Sequence, residues 1–152
     1  MIARNLPHAA LWLRGQRVVL TSGGFDPIHP GHVGYLLDAG EMAAEAWATH
    51  VVLVNGDSFL MRKKGHFVQP LHDRCAIVAG LRGVGLVIPY ESDRDDVGEA
   101  IELLRPWMFV KGGDRTLETT PERQVCNEVG TILCPRVGPD KLWSSSQIVS
   151  KP

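Results

Sequence analysis

A chain of 152 residues with 44% apolar content supplies one hydrophobic core, which argues against a two-domain protein. Its 16 basic and 17 acidic side chains leave a net charge of −1, so no broad positive field marks nucleic acid or an anionic membrane as the main partner. Three cysteines without Cys-x-x-Cys spacing argue against a disulfide framework and for a reducing compartment. No run approaches the roughly 18 apolar residues of a membrane span, and residues 1–14 lack a basic start followed by a long apolar core, so a cytoplasmic protein is expected.

Taken in order, Leu6 to Leu13 read as a short helix packing on a sheet edge, an N-terminal extension over residues 1–14. Arg17 to Thr21 form a β-branched run that ends at Gly23 and Gly24, the pattern of a buried parallel strand leaving its sheet. Apolar residues from Val33 to Ala39 fall at helical spacing, and a helix is predicted from about Gly31 to Trp47. His50 to Asn55 make a second buried strand, ended by Gly56 and Asp57. Met61 to His66 then read as a compact basic loop, and Pro70 and Asp73 open a helix that runs to Leu81. The third strand is predicted over Gly83–Pro89, the next helix over Asp95–Leu104 and the fourth strand over Trp107–Val110. Thr120 and Pro121 start a short helix ending near Gly130, and Thr131 to Pro135 form the fifth strand. Three serines ahead of Ile148 and Val149 read as an N-cap and first helical turn.

The chemistry concentrates where the first strand ends. A strand, a tight glycine turn and a helix start leave backbone N–H groups and the positive end of a helix dipole facing outward, a geometry that attracts phosphate. His29 and His32 sit in that turn, and Gly31 between them leaves room for both imidazoles to approach one anion. Neither belongs to a Cys, His or carboxylate spacing that would complete a zinc site, so they read as donors to phosphoryl oxygens. The basic run at Arg62, Lys63 and Lys64 follows a strand's carboxyl end, where open α/β sheets bind ligands and a lysine can offset phosphate charge. Gly112 and Gly113 form a second glycine turn, which a doubly wound sheet would place beside the first.

The string Gly23-Gly24-Phe25-Asp26-Pro27-Ile28-His29-Pro30-Gly31-His32 resembles the signature of the cytidylyltransferase-like nucleotidyltransferase superfamily. The blocks Val54–Asp57, Lys63–Gly65, Pro70–Arg74 and Val110–Asp114 look like successive blocks of its heptose-phosphate adenylyltransferase branch, with glycerol-phosphate cytidylyltransferases more distant. Pro27 and the stretch Arg115–Glu122 depart from the heptose enzymes. The resemblance implies an α/β, Rossmann-like three-layer fold, doubly wound, with about five parallel strands and right-handed crossovers. It further implies a single domain that moves a nucleoside monophosphate, AMP or CMP, from a triphosphate to a phosphorylated acceptor and releases pyrophosphate.

Under that resemblance His29 and His32 take the α- and β-phosphate oxygens, and Lys64 or Lys63 offsets the same developing charge. Gly23, Gly24 and Phe25 line the nucleotide site, and Gly112, Gly113 and Asp114 border base and ribose. Ser144, Ser145 and Ser146 grip the far phosphates. Asp26 and Arg74 lie on the acceptor side, with Asp26 orienting the acceptor, helping the metal or packing at the turn. No resident metal is implied; Mg²⁺ enters with the triphosphate. Sugar, alditol and flavin phosphates remain open as acceptors, and a homodimer is expected. Two other classes stay in view: a nucleotide-binding regulatory module that lost the reaction, and RNA binding through Arg62–Lys64 flanked by Phe59 and Phe67.

Overall fold

The structure, a computed structural model, describes residues 1–139. The β-branched runs decide its centre. Val18–Gly23 (β1), Thr49–Asn55 (β2), Leu86–Tyr90 (β3), Met108–Gly112 (β4) and Ile132–Val137 (β5) form one five-stranded sheet in the order β3-β2-β1-β4-β5, with every pairing parallel. Between them run Leu6–Trp12 (α1), Pro30–Glu45 (α2), Asp57–Lys64 (α3), Leu71–Ala79 (α4), Gly98–Leu104 (α5) and Arg123–Val129 (α6). This is the expected Rossmann-like α/β architecture. Its strand order reverses between β1 and β4, which makes the carboxyl ends of those two strands the natural place for a ligand.

Helices cover both faces of the sheet, so strands need apolar residues on both sides. Val51 to Val54 of β2 are fully buried without interruption. Alternation survives only as a division between two cores. Leu20, Leu53, Ile88 and Phe109 pack with Ala9, Ile101 and Cys126 of α1, α5 and α6. Val19, Val52, Val87 and Val110 pack on the other face with Leu36, Ala39 and Val78 of α2 and α4. Residues 1–14 belong to the first core through Ala3, Leu6, Ala9 and Leu13, and Ile2 bridges in parallel to Val87 on the β3 edge. A buried polar pair is satisfied across the strands. The His50 Nδ1 donates to the Gly83 carbonyl at 2.9 Å and its Nε2 accepts from the Thr21 hydroxyl at 3.0 Å, while burial lowers its pKa and keeps the ring neutral.

Two predicted elements are corrected. Met61 to Lys64 are not a loop; they are the second half of α3, with Arg62, Lys63 and Lys64 in its last turn and Gly65 as a left-handed cap at φ +75°. Basic residues there complement the carbonyl end of the helix dipole, and Glu91 holds the other end by accepting from the Asp57 N–H and the Ser58 hydroxyl. The helix predicted from Asp95 starts at Gly98 instead, because the Asp96 carboxylate takes the Gly98 N–H at 2.8 Å and keeps residues 95–97 outside it.

Candidate active site

The glycine turn is built by close packing. A Cβ on Gly23 would lie 2.8 Å from the Phe25 ring, so that ring folds back over the strand end only because residue 23 has no side chain. Phe25 holds φ at +51° and is buried. Beyond it Asp26 and Pro27 join through a cis peptide, His29 is the extended residue before α2, and Pro30 starts the helix with its φ preset and no N–H to waste.

His29 makes no side-chain cap to α2. Its ring instead stacks on His32, centroid to centroid 3.7 Å at 24°, and Phe25 meets His32 edge-on at 5.2 Å. Gly31 permits the stack, since a Cβ there would stand 3.0 Å from the His29 ring. The Nδ1 atoms of both rings are buried without a hydrogen-bond partner among the described residues. Burial, then the neighbouring His29 and Lys64, push the His32 pKa down to about 3, and burial followed by Lys64 lowers that of His29. Both rings are therefore neutral at neutral pH, each with one N–H to donate, in a place that an arriving anion would make more favourable for protonation.

His32 opens onto a cleft of about 320 Å³ at the carboxyl ends of β1, β2 and β4. Its near wall is Ser22 to Phe25, and Phe59, Lys63 and Lys64 of α3 form one side. Residues 95–97 and Glu122 stand opposite, with Lys111 and Arg115 completing the lining. Lys63 and Lys64 thus line the cleft as expected, from a helix rather than a loop. Arg62 turns away, donating to Asp95 at 3.2 Å and to the carbonyls of Ser92 and Arg94, which pins the opposite wall and removes one cation from the patch considered for RNA.

Two expected acceptor residues are engaged elsewhere. Arg74 is fully buried, and its guanidinium donates to the carbonyls of Gly24 and Asn55 at 2.7 Å, to that of Gln69 at 2.9 Å, and to Asp57 at 2.6 Å. It ties the glycine turn to the end of β2 and the start of α3 and has no face toward a substrate. Asp26 accepts from the backbone N–H groups of Val68 and Gln69 at 2.7 and 2.8 Å, so of its three readings (acceptor, metal and packing) the packing one matches the geometry. Gly112, Gly113 and Asp114 lie outside this cleft's lining, with Gly112 closing against the Tyr35 ring. Ser144, Ser145 and Ser146 fall outside the described residues.

Sequence reasoning gave no role to Lys111, although it quoted the block containing it. Lys111 ends β4 beside Ser22 at the end of β1, donating to the Ser22 hydroxyl at 3.2 Å and lying 3.7 Å from Glu122 Oε1. Desolvation lowers its pKa and the Glu122 carboxylate acts in the opposite direction. The available signal was a lysine directly after an apolar strand at the point where strand order reverses.

Known proteins share the sequence pattern and the fold of this chain. The family model described as cytidylyltransferase-like matches residues 20–149. The bifunctional protein HldE of Hahella chejuensis is 41% identical over 106 residues, 68% of this chain and 21% of that protein. The HldE of Methylococcus capsulatus is 42% identical over 104 residues, 66% of this chain and 20% of that protein. The chain therefore spans about a fifth of the length of these curated relatives. Among solved structures, the lipopolysaccharide core biosynthesis protein of Thermoplasma volcanium shares the fold, with a TM-score of 0.62 at 22% identity over 82% of this chain and 98% of that one. The paired neutral histidines at a glycine turn thus sit inside a match that runs nearly the whole chain, and the protein belongs to the cytidylyltransferase-like family of nucleotidyltransferases.

Proposed function

We propose that the protein transfers AMP or CMP from a nucleoside triphosphate to a sugar or alditol phosphate, in the manner of the heptose-phosphate adenylyltransferases it resembles. The observation that carries the reading is the stacked pair His29 and His32, neutral and with buried nitrogens that no described residue satisfies, at the edge of a cleft that also holds Lys63, Lys64 and Lys111. An acceptor phosphate oxygen attacks the α-phosphorus, a new O–P bond forms, and the bond to the β-phosphate oxygen breaks as pyrophosphate leaves with its electron pair. The acceptor is already an anion, so no side-chain nucleophile is required and the chain's task is positioning and charge stabilisation. The imidazole N–H groups donate to phosphate oxygens while Lys64 offsets the charge that accumulates on them.

Among the described residues no three His, Cys, Asp or Glu side chains gather to hold a metal. In this reading Mg²⁺ is carried by the triphosphate's own oxygens and water. The buried free thiols of Cys75 and Cys126, both pushed up to about 11 by desolvation, suit the reducing cytoplasm, and the reading includes a homodimer. No helix among the described residues is long and apolar enough to cross a membrane.

The test is a product screen of ATP and CTP against sugar, alditol and flavin phosphates, with pyrophosphate and product mass both measured. A nucleotidyl sugar or alditol with stoichiometric pyrophosphate is expected. Nucleotide binding without pyrophosphate release across the panel would replace this reading with a regulatory module, and a flavin product would move the acceptor class. Sedimentation of the purified chain tests the dimer.

A further inference from the structure

Three carboxylates line the cleft, and two of them pair with arginines. Asp95 pairs with Arg62 at 3.2 Å, and Asp96 pairs with Arg94 at 3.2 Å while accepting from Gly98. Glu122 differs. It is 3% exposed, its Oε1 accepts from the Val97 N–H at 3.3 Å and faces Lys111, and its Oε2 is buried with no partner among the described residues. A buried carboxylate oxygen without a donor costs free energy that the fold has done nothing to recover, although a ligand hydroxyl could.

Lys111 is complementary. Its ammonium has three donors, of which Ser22 takes one and Glu122 attracts a second, and it lines the cleft where strand order reverses. A cation 3.7 Å from the Oε1 of a carboxylate whose Oε2 has no hydrogen-bond partner among the described residues matches a molecule that carries both a phosphate and a hydroxyl group. Glu122 also borders a second cleft, of about 340 Å³, but the other charged residues there are Arg94, Asp96, Glu102 and Glu128, which give an anion a poor reception.

We infer that Lys111 and Glu122 select the acceptor: Lys111 donates to its phosphate and Glu122 Oε2 accepts from one of its hydroxyls. The cleft would then distinguish a hydroxylated phosphate ester from phosphate alone. The inference rests on the proposed function for the word acceptor, while the contact it assigns is a matter of binding. Glu122→Gln is the sharp variant, because the amide oxygen keeps the Val97 bond and only the charged acceptor is lost. Lys111→Met leaves Glu122 without its cation, so the double variant Lys111→Met/Glu122→Gln supplies a neutral wall if the single variant fails to fold.

The experiment is calorimetric titration of the whole chain with inorganic phosphate, glycerol 3-phosphate and ribose 5-phosphate. The wild type should bind the two esters about tenfold more tightly than inorganic phosphate, the size of one hydrogen bond to a charged group. Glu122→Gln should erase that preference while inorganic phosphate and ATP or CTP bind within about twofold of wild type, and Lys111→Met or the double variant should weaken every phosphate ligand about tenfold. A wild type without the preference, or a Glu122→Gln protein that keeps it, would overturn the inference. Because the readout is binding, a chain that reads hydroxyls yet releases no pyrophosphate would fault the proposed reaction and leave this assignment standing.

Discussion

Two polar pairs meet at the same glycine turn and have opposite fates. Asp26 and Arg74 carry full charges and are buried with partners around them, every one supplied by the protein. His29 and His32 are neutral, half-buried, and hold nitrogens that nothing in the described chain satisfies. Formal charge was the poorer guide to chemistry. What marks a ligand group here is unused hydrogen-bonding capacity, whereas a charge whose hydrogen bonds are all made within the protein has none left for a ligand.

The comparison breaks if the satisfied pair proves dispensable. Arg74→Met leaves Asp57 and three carbonyls without their donor, and should cost about 3–5 kcal/mol in urea unfolding, enough to lose much of the folded population. An unchanged midpoint would return Arg74 to the substrate side. His32→Ala should do the reverse, cutting turnover by about a hundredfold, the scale of losing a transition-state donor, with circular dichroism and nucleotide affinity little changed. Near-normal turnover would remove the histidine from the reaction.

A milder test comes from Asp26→Asn, in which one of two backbone N–H groups loses its acceptor. Stability should fall by about 2 kcal/mol while the KM for each substrate stays within threefold, and a large KM shift with normal stability would restore a substrate role. The finest test uses pH. With the His32 pKa lowered from 6.5 to about 3, the unfolded chain binds a proton in that window that the folded chain refuses. The contribution of a neutral His32 is whole above 6.5 and is lost as pH falls toward 3, so the wild-type unfolding midpoint should drop on acidification more steeply than that of His32→Ala. Parallel slopes would mean the ring is not desolvated.

Much of this arrangement was readable without coordinates. The runs at Val18–Leu20 and Val51–Val54 are too continuously apolar for a sheet with a wet face, so helices on both sides followed, and with them the place where ligands gather. The Gly31 spacing between the histidines carried through to the stack. Lys63–Gly65 misled because a lysine pair before glycine looks like a loop, although the same residues are what a helix end favours. Arg74 misled because its four acceptors come from the β1 turn, the end of β2, α3 and the segment before α4, and no local pattern announces such a convergence.

By itself the order of residues determined the alternation of strands and helices, the glycine turn with its two imidazoles, and the family, because these depend on short-range periodicity and a contiguous motif. Only tertiary structure decided which polar groups are consumed and which are left over. Ser22 meets Lys111 across 89 positions, and Lys111 meets Glu122, because β1 and β4 lie side by side where the strand order reverses. Hydrogen bonds saturate, so a side chain's role depends on its neighbours in space, and those neighbours are set by strand order rather than by distance along the chain.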